Sequence, residues 1–301
     1  MQTPSTIRLH LILLYMVVTA VASCSYIDPE EMGSGEDRGT EVAIECDAEL
    51  QPQQWYVRIV DDNDSTRHYY SENGTVSVGN KLLSMLVYNT DMENIDIVEH
   101  GESNTTIAKV RRIDSQLPIN GKPIALMPDN LFSEYIEMET SETLERIVLS
   151  PKSRIRTFQL RLELRTKAKD VIGCRTALID GMAESINLIT LKPSDNEVAL
   201  AVPVWLDDTM EGSSDTVAVA HAKMTTFGRA AASTKSTMLL TLQFANGKET
   251  TIAIDMTKDT VDENSGNEIT KTVAIDDLGN GKDTDNVDVE DRENENTHIN
   301  L

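Results

Sequence analysis

The sequence is poor in aromatic residues, cysteine and histidine, and each shortage argues against a class of protein. Only 4% of the 301 residues are Phe, Trp or Tyr, whereas sugar-binding surfaces usually present exposed Trp or Tyr rings. Trp55 and Trp205 each lie in a strand-like run, so both are expected to be core residues. Three cysteines are too few for a disulfide-held scaffold. The five histidines show no H-x-x-x-H spacing, so no metal site and no cofactor are expected.

Catalytic motifs are also missing. The sequence has no G-x-S-x-G, no P-loop and no G-x-G-x-x-G opening a helix, which predicts a non-enzymatic protein without catalytic residues. A glycosidase stays open as an alternative, because it needs only two carboxylates that the fold brings together. Acidic clusters at residues 61–64 and 283–288 offer oxygen ligands for calcium. They lack the ordered spacing of a calcium loop and are more typical of turns.

Basic residues are scarce relative to acidic ones. The chain has 27 Lys and Arg against 50 Asp and Glu, a formal net charge of -23. Nucleic acids and anionic bilayers both require Lys and Arg to displace counterions. No nucleic-acid partner is therefore expected, and the acidic charge is interpreted as favouring solubility.

The one long apolar run, at residues 9–22, is too short to span a membrane and fits a signal-peptide core. It is followed by Val21-Ala22-Ser23-Cys24, which resembles a bacterial lipobox. We therefore predict a lipoprotein signal peptide over residues 1–23 and lipidation at Cys24, with more than one acyl chain giving a stable anchor. The alternative is an ordinary secretory signal with a chance cysteine near its end.

The composition after Cys24 divides the chain into four segments. Residues 24–40 are polar and contain several glycines, which predicts a flexible tether. Strand-like patterns then fill residues 41–148 and 149–262, and these are predicted to be two β-sandwich domains. Residues 263–301 are predicted to be an acidic tail with a terminal strand. Cys46 and Cys174 would lie in different domains, so buried free thiols are expected, and a disulfide between them is the alternative.

Alternating hydrophobicity predicts many antiparallel strands and little helix. Val42, Ile44 and Cys46 alternate with acidic residues, and residues 158–164 alternate apolar with polar side chains. Residues 82–88 form an apolar run that predicts a buried strand. Asn246-Gly247 between two such runs predicts a tight hairpin. Residues 176–183 are the one helix-like segment.

Several short motifs together resemble a family of Bacteroidales surface lipoproteins related to the fimbrillins and to the anchor and accessory subunits of their fimbriae. The resemblance covers nearly the whole chain and depends on the order and spacing of the motifs. They are the lipobox, VYNT at 87–90, MPDNL at 127–131, ALIDGM at 177–182, SINL at 185–188, TFG at 226–228, NG at 246–247, IDMT at 254–257, VDVE at 287–290 and INL at 299–301.

The resemblance implies an all-β fold with two tandem transthyretin-like (Greek-key) β-sandwich domains. It also implies a lipid anchor in the outer membrane, a surface-exposed location in a fimbrium, and a role in fimbrial assembly or cell adhesion. In such fimbriae one subunit completes the sheet of its neighbour with a donated strand. Residues 287–301 would then be a donated or self-inserted strand with Val287, Val289, Ile299 and Leu301 as anchors. A disordered acidic tail is the alternative.

Processing and binding distinguish the functions that this resemblance leaves open. Polymerising fimbrillins are cleaved after a basic residue, but a cut at Arg38 would remove the lipid and leave the first strand in place. This favours an anchor or accessory subunit that keeps its lipid and has other fimbrial subunits as partners, although Arg58 and Arg67 are further basic residues.

The alternative is a glycan-binding surface lipoprotein of a polysaccharide-uptake system. Such a protein should show two or three exposed aromatic side chains on a shallow face, whereas a fimbrial subunit should show an apolar groove or an unpaired edge strand.

Overall fold

The computed structural model describes residues 40–46, 52–61, 65–79, 82–100, 105–114, 121–138, 146–166, 171–207, 218–260, 268–275 and 289–291. These residues form β-strands joined by turns and loops, so the predicted all-β class is confirmed. No helix within these ranges is long and apolar enough to cross a membrane. Cys24 and the predicted signal peptide lie outside the described residues.

The strands are numbered in chain order. Those of the first half are β1 (Thr40–Ile44), β2 (Trp55–Asp61), β3 (Thr66–Ser71), β4 (Thr75–Val78), β5 (Leu82–Asn89), β6 (Ile95–His100), β7 (Thr105–Val110), β8 (Ile124–Leu126), β9 (Phe132–Glu137), β10 (Arg146–Leu149) and β11 (Lys152–Ser153). Those of the second half are β12 (Arg156–Thr166), β13 (Val171–Ala183), β14 (Ser185–Asn187), β15 (Glu197–Ala201), β16 (Val204–Asp207), β17 (Ala218–Thr226), β18 (Thr237–Phe244), β19 (Glu249–Asp255), β20 (Glu268–Ile275) and β21 (Val289–Asp291).

The first sheet pair consists of a three-stranded sheet, β10-β1-β4, and a five-stranded sheet, β11-β9-β5-β2-β3. Side chains from both sheets form one buried cluster, in which Val42 of β1 packs with Val57 of β2 and Val87 of β5. The three-stranded sheet is mixed, because β1 runs parallel to β10 and antiparallel to β4. This cluster is called the first core.

The second sheet pair consists of two five-stranded sheets, β16-β17-β12-β20-β21 and β19-β18-β13-β15-β8. Leu162 of β12, Ile179 of β13 and Leu240 of β18 belong to one large buried cluster, called the second core. Both sheets are mixed, because β20 runs parallel to β12 and β8 runs parallel to β15. β18 buries every second side chain, which explains its alternating sequence pattern.

Strand pairing crosses the predicted domain boundary at residues 148 and 149. β8 from the first half joins β15, and β14 from the second half joins β7 in a small sheet of order β14-β7-β6. Glu184 beside β14 is buried, and it binds Lys109 at 3.2 Å and the Arg112 Nε at 2.6 Å. The small sheet is therefore fastened to the second half by an ion cluster as well as by strand pairing. The domain bounds given above stay a prediction.

Most of the strand predictions are confirmed. Residues 158–164 lie in β12, and Phe158, Leu160, Leu162 and Leu164 face the second core. The Asn246-Gly247 hairpin joins β18 to β19, with Gly247 at a φ of 79°. Such positive φ values are readily adopted by glycine, as the sequence prediction required.

The prediction of a helix at residues 176–183 is wrong, because this segment belongs to β13. β13 pairs with β18 on one side and with β15 on the other, and its register shifts between Ile179 and Met182. Gly181 lies in this shift with a φ of 74°. The irregularity breaks the two-residue period, so the sequence did not show the alternation of a strand.

Candidate functional site

The first strand, β1, is seated in the middle of its sheet. Its residues 41–44 pair with β10, and its residues 40–43 pair with β4. Backbone bonds continue beyond these pairs, from Ile44 N to Gly74 O at 2.7 Å and from Glu45 N to Leu149 O at 2.8 Å. Val42 is fully buried in the first core. The groove between β4 and β10 is thus filled by the chain itself.

The second sheet pair has a less complete edge at β20. This strand pairs with β12 over all eight residues, from Glu268 to Ile275. On its other side β21 pairs with Lys271, Thr272 and Val273 alone, among the residues that the structure describes. Val289, one of the predicted strand anchors, lies in β21. Val287, Ile299 and Leu301 lie outside the described residues.

Three tyrosines form a row across β3, β2 and β5. Tyr56 of β2 lies directly opposite Tyr70 of β3 on one side and Tyr88 of β5 on the other. The Tyr56 ring centroid is 5.2 Å from that of Tyr70, at an interplanar angle of 66°, and 4.7 Å from that of Tyr88. Tyr56 and Tyr88 are buried, whereas Tyr70 is 76% exposed. The row therefore runs from the interior to solvent at the edge strand β3.

Polar groups converge on the Tyr56 hydroxyl. It donates to Glu99 Oε1 of β6 at 3.0 Å and is hydrogen-bonded to His68 Nδ1 of β3. The Tyr88 hydroxyl lies 3.5 Å from the same Glu99 oxygen. Burial, reinforced by the negative charge of Glu99, raises the pKa of Tyr56 above its ordinary value, and burial also raises the pKa of Tyr88. Both tyrosines are therefore protonated hydrogen-bond donors.

The sequence prediction for the two tryptophans is half right. Trp55 is 4% exposed and packs in the first core, but Trp205 is 51% exposed. Trp205 lies on β16, an edge strand, and its ring stacks on His221 of β17 with centroids 6.1 Å apart. His221 Nε2 lies 2.8 Å from Asp207 Oδ2. Val204 and Leu206 pack against the second core, so the alternation of β16 directs Trp205 to the opposite face.

Neither Cys46 nor Cys174 forms a disulfide within the described residues, and each is partly rather than fully buried. Cys46 packs against the first core and Cys174 against the second. Burial raises the pKa of the Cys174 thiol to about 11. Within the described ranges, no group of three or more His, Cys, Asp or Glu could hold a metal ion. Residues 62–64 and 283–288 of the acidic clusters lie outside those ranges.

The tyrosine row was missed by the sequence reasoning. The available signal was the alternation of His68 and Tyr70 on one side of a short polar strand. Tyr56 and Tyr88 each lie in apolar runs, and nothing in the sequence shows that they oppose one another. The row arises only because β2 lies between β3 and β5.

The described residues define an all-β fold with two sheet pairs, a first groove filled by β1, and an edge strand, β20, that the other described strands cover only in part on its outer side. No protein-family model matches the chain, and no functionally curated protein matches its sequence. Similar solved structures do exist. A candidate adhesin from Bacteroides ovatus has a TM-score of 0.53 at 18% identity, covering 74% of this chain and 84% of that one.

Two further structures extend the comparison. A candidate polysaccharide-binding protein from Bacteroides thetaiotaomicron has a TM-score of 0.52 at 14% identity, covering 79% of this chain and 92% of that one. The fimbrial anchor protein Mfa2 from Porphyromonas gingivalis has a TM-score of 0.47 at 11% identity, covering 78% and 90%. The chain is thus similar in structure to Bacteroidales candidate adhesins, which confirms the resemblance at the level of the fold.

Proposed function

We propose that this protein is a non-enzymatic accessory or anchor subunit of a surface fimbria, tethered to the outer membrane by a lipid on Cys24. It joins other fimbrial subunits by β-strand addition and contributes to assembly or adhesion. In this proposal the two sheet pairs correspond to two tandem transthyretin-like sandwich domains. The similarity in fold to a candidate adhesin supports an adhesive role.

The observation that carries the proposal is the outer edge of β20, of which described strands cover three residues. Main-chain groups of an edge strand are a template for an added strand. β21 covers three residues of β20, whereas β20 is eight residues long. The five residues 268–270, 274 and 275 have no outer partner among the described strands. An incoming strand that displaced β21 would gain the full length of this edge.

The position of β1 supports an anchor or accessory role rather than a polymerising one. Because β1 fills its own groove and buries Val42, the first sheet pair needs no strand from a neighbour. Arg58, a basic residue at which processing could remove β1, is 5% exposed and lies within β2. A protease would reach it only after unfolding. We infer that β1 is not removed by cleavage at Arg58.

A pull-down from outer-membrane extracts tests strand addition. The full chain is compared with a variant that ends at Asp285, which lacks β21 but keeps β20. A second variant in which residues 286–301 are scrambled preserves length and charge and serves as the matched control.

If residues 286–301 are the donated strand, fimbrillin-like partners identified by mass spectrometry are lost with both variants. If the β20 edge receives a strand, the truncation increases their capture, because β21 no longer competes. The absence of such partners from all three samples contradicts the proposal.

Lipidation is tested separately by labelling cells with a radioactive palmitate. We expect label on the wild-type chain and none on Cys24→Ser. Label that persists on Cys24→Ser, or a wild-type chain found unlabelled in the culture medium, contradicts the anchor.

The alternative function, glycan capture beside a polysaccharide transporter, is favoured by one observation, the exposed Tyr70. Glycan binding predicts two or three exposed aromatic side chains on a single face. Tyr70 and Trp205 are the exposed aromatics among the described residues, and they lie on β3 and β16 of different sheets. Retention on polysaccharide beads without capture of any fimbrial subunit would favour this alternative.

A further inference from the structure

We propose that Tyr70, His68 and Glu99 form a binding site for a neutral carbohydrate, with Tyr56 organising the polar groups behind the exposed ring. This goes beyond strand addition, because it assigns a ligand to a surface that the pairing of β20 does not use. The site lies on β2, β3 and β6, in the first sheet pair and the small sheet.

The exposed ring provides the platform. Tyr70 is 76% exposed in a chain in which aromatic residues make up only 4% of the sequence. Its ring is supported from behind by Tyr56, at 5.2 Å and in an edge-to-face arrangement. A ring held in this way keeps a surface open to solvent while losing little conformational entropy on binding. The apolar face of a sugar ring is a suitable partner for such a surface.

The hydrogen-bond network fixes the polar character of the site. The Tyr56 hydroxyl has one proton, which it donates to Glu99 Oε1. In its contact with His68 the same oxygen therefore accepts, so the proton of that bond belongs to Nδ1. In the neutral imidazole this tautomer leaves Nε2 as an acceptor. Glu99 uses Oε1 for the tyrosines, and its Oε2 is a second acceptor.

Two acceptors beside an aromatic ring match the hydroxyl groups of a sugar. Each sugar hydroxyl is a donor, and the two side chains bonded to the Tyr56 hydroxyl, His68 and Glu99, each carry a further acceptor, Nε2 and Oε2. Burial raises the pKa of Tyr56, so this central donor stays protonated and the network keeps its polarity. A peptide side chain of mainly apolar character would leave these acceptors unpaired.

Charge restricts the carbohydrate to a neutral one. Glu99 carries a negative charge at the site, and the chain as a whole has a net charge of -23. Both repel uronic-acid and sulfated glycans, and the repulsion is greatest at low salt. A neutral hexose or pentose polymer meets no such penalty.

Affinity electrophoresis and titration calorimetry with the purified full chain test this site. The probes are starch, laminarin, galactomannan and xylan as neutral polymers, with pectin and hyaluronan as acidic ones. We expect retardation by at least one neutral polymer and by neither acidic one. Tyr70→Ala should weaken that binding about tenfold, and Tyr70→Phe, which keeps the ring, should retain it.

Two further variants make the test specific. Trp205→Ala removes the other exposed aromatic side chain of the described residues and should leave the affinity unchanged. Glu99→Gln keeps the shape of the side chain but not its charge, and should weaken neutral binding while reducing the discrimination against acidic polymers. Tyr70 and Glu99 are both exposed, so these variants are expected to fold, as their unfolding curves will show.

The site is overturned if no neutral polymer retards the full chain, or if Tyr70→Ala binds as tightly as the wild type. Failure of the carbohydrate-binding proposal can be distinguished from failure of the strand-addition proposal. Tyr70→Ala should still capture the same fimbrial subunits from outer-membrane extracts, because residues 268–275 and 286–301 are unchanged.

Discussion

The two sheet pairs contain opposite ends of the described chain, and among the described strands their end strands are paired to different degrees. In the first pair, β1 has a hydrogen-bonded neighbour on both sides and contributes Val42 and Ile44 to the core. In the second pair, β20 has β12 along one full side and β21 along three residues of the other. The N-terminal strand is therefore a central strand, whereas the C-terminal strand lies at an edge.

This difference has an energetic consequence. Removing a central strand exposes apolar side chains on two neighbours and leaves their main-chain groups unpaired, which no small rearrangement restores. Removing a three-residue edge strand leaves a sheet of four strands intact. Strand exchange with a partner is accordingly expected at the C-terminal edge, whereas β1 is expected to stay in its sheet.

The largest expected effect is that of a charge placed in β1. Val42 is fully buried in the first core, so Val42→Asp brings an unpaired carboxylate into an apolar site. We expect a loss of at least about 4 kcal/mol in the free energy of unfolding, measured by urea denaturation. Glu41→Ala, on the exposed face of the same strand, is the control and should change stability by less than about 0.5 kcal/mol. Equal effects would show that β1 is not a core strand.

A glycine in the second pair gives the next largest effect. At Gly181, with a φ of 74°, an added Cβ would lie 2.3 Å from the Lys235 carbonyl oxygen. Gly181→Ala combines this clash with an unfavourable backbone conformation, and we expect a loss of about 3 kcal/mol.

Gly247 supplies the matched control for that substitution. Its φ is 79°, and an added Cβ there would meet nothing within 4 Å. Gly247→Ala should therefore cost only the backbone part, about 1 kcal/mol, in the same urea experiment. Similar losses for the two variants would contradict the close packing of β13 against the loop at Lys235.

Sequence patterns predicted the strands best where one face of the strand is exposed to solvent. Residues 158–164 of β12 and the hairpin around Asn246-Gly247 keep a clear period of two, and both predictions are confirmed. β13 has neighbours on both sides and a register shift at Gly181, so its period is interrupted and it was mistaken for a helix. A two-residue period in the sequence arises when one face of a strand is exposed to solvent. It therefore does not identify a strand that has little exposure and an irregular backbone.

The candidate carbohydrate site shows the other limit of sequence reasoning. Tyr56, Tyr70 and Tyr88 are separated by up to 32 positions, and their contact depends on the strand order β3-β2-β5. Trp205 was assigned to the core because it lies in a strand-like run, yet it faces outward from an edge strand. Both cases require knowledge of which face of a strand is covered, which is a property of the partner strands.

The thiol of Cys174, which packs against the second core, gives a chemical measure of burial there. The pKa of Cys174 is raised by burial from 9.0 to about 11, so at pH 9 roughly 1% of this thiol is ionised, against half of an ordinary one. In a chain carrying Cys24→Ser and Cys46→Ser, iodoacetamide should therefore modify Cys174 about fiftyfold more slowly in the folded state than in urea.

The same shift fixes the direction of a stability change with pH. Between pH 9 and 11 the unfolded chain loses the Cys174 proton while the folded chain keeps it, so this group contributes stability that is complete below pH 9 and lost as the pH rises towards 11. Cys174→Ala should remove that part of the alkaline loss. A folded alkylation rate equal to the unfolded one at pH 9 would rule out the shift.

The smallest effect expected is spectroscopic, and it compares the two tryptophans. Trp55 is 4% exposed in the first core, and Trp205 is 51% exposed on β16. Trp55→Phe leaves Trp205 as the sole emitter, and Trp205→Phe leaves Trp55. Acrylamide should quench the emission of Trp205 several-fold more strongly than that of Trp55, since a collision requires access to the ring.

In urea the two variants should be quenched alike, which controls for intrinsic differences. Equal quenching in the native state would mean that β16 presents its other face to solvent, with Val204 and Leu206 outward, and the second core would then lose two of the side chains that pack against it.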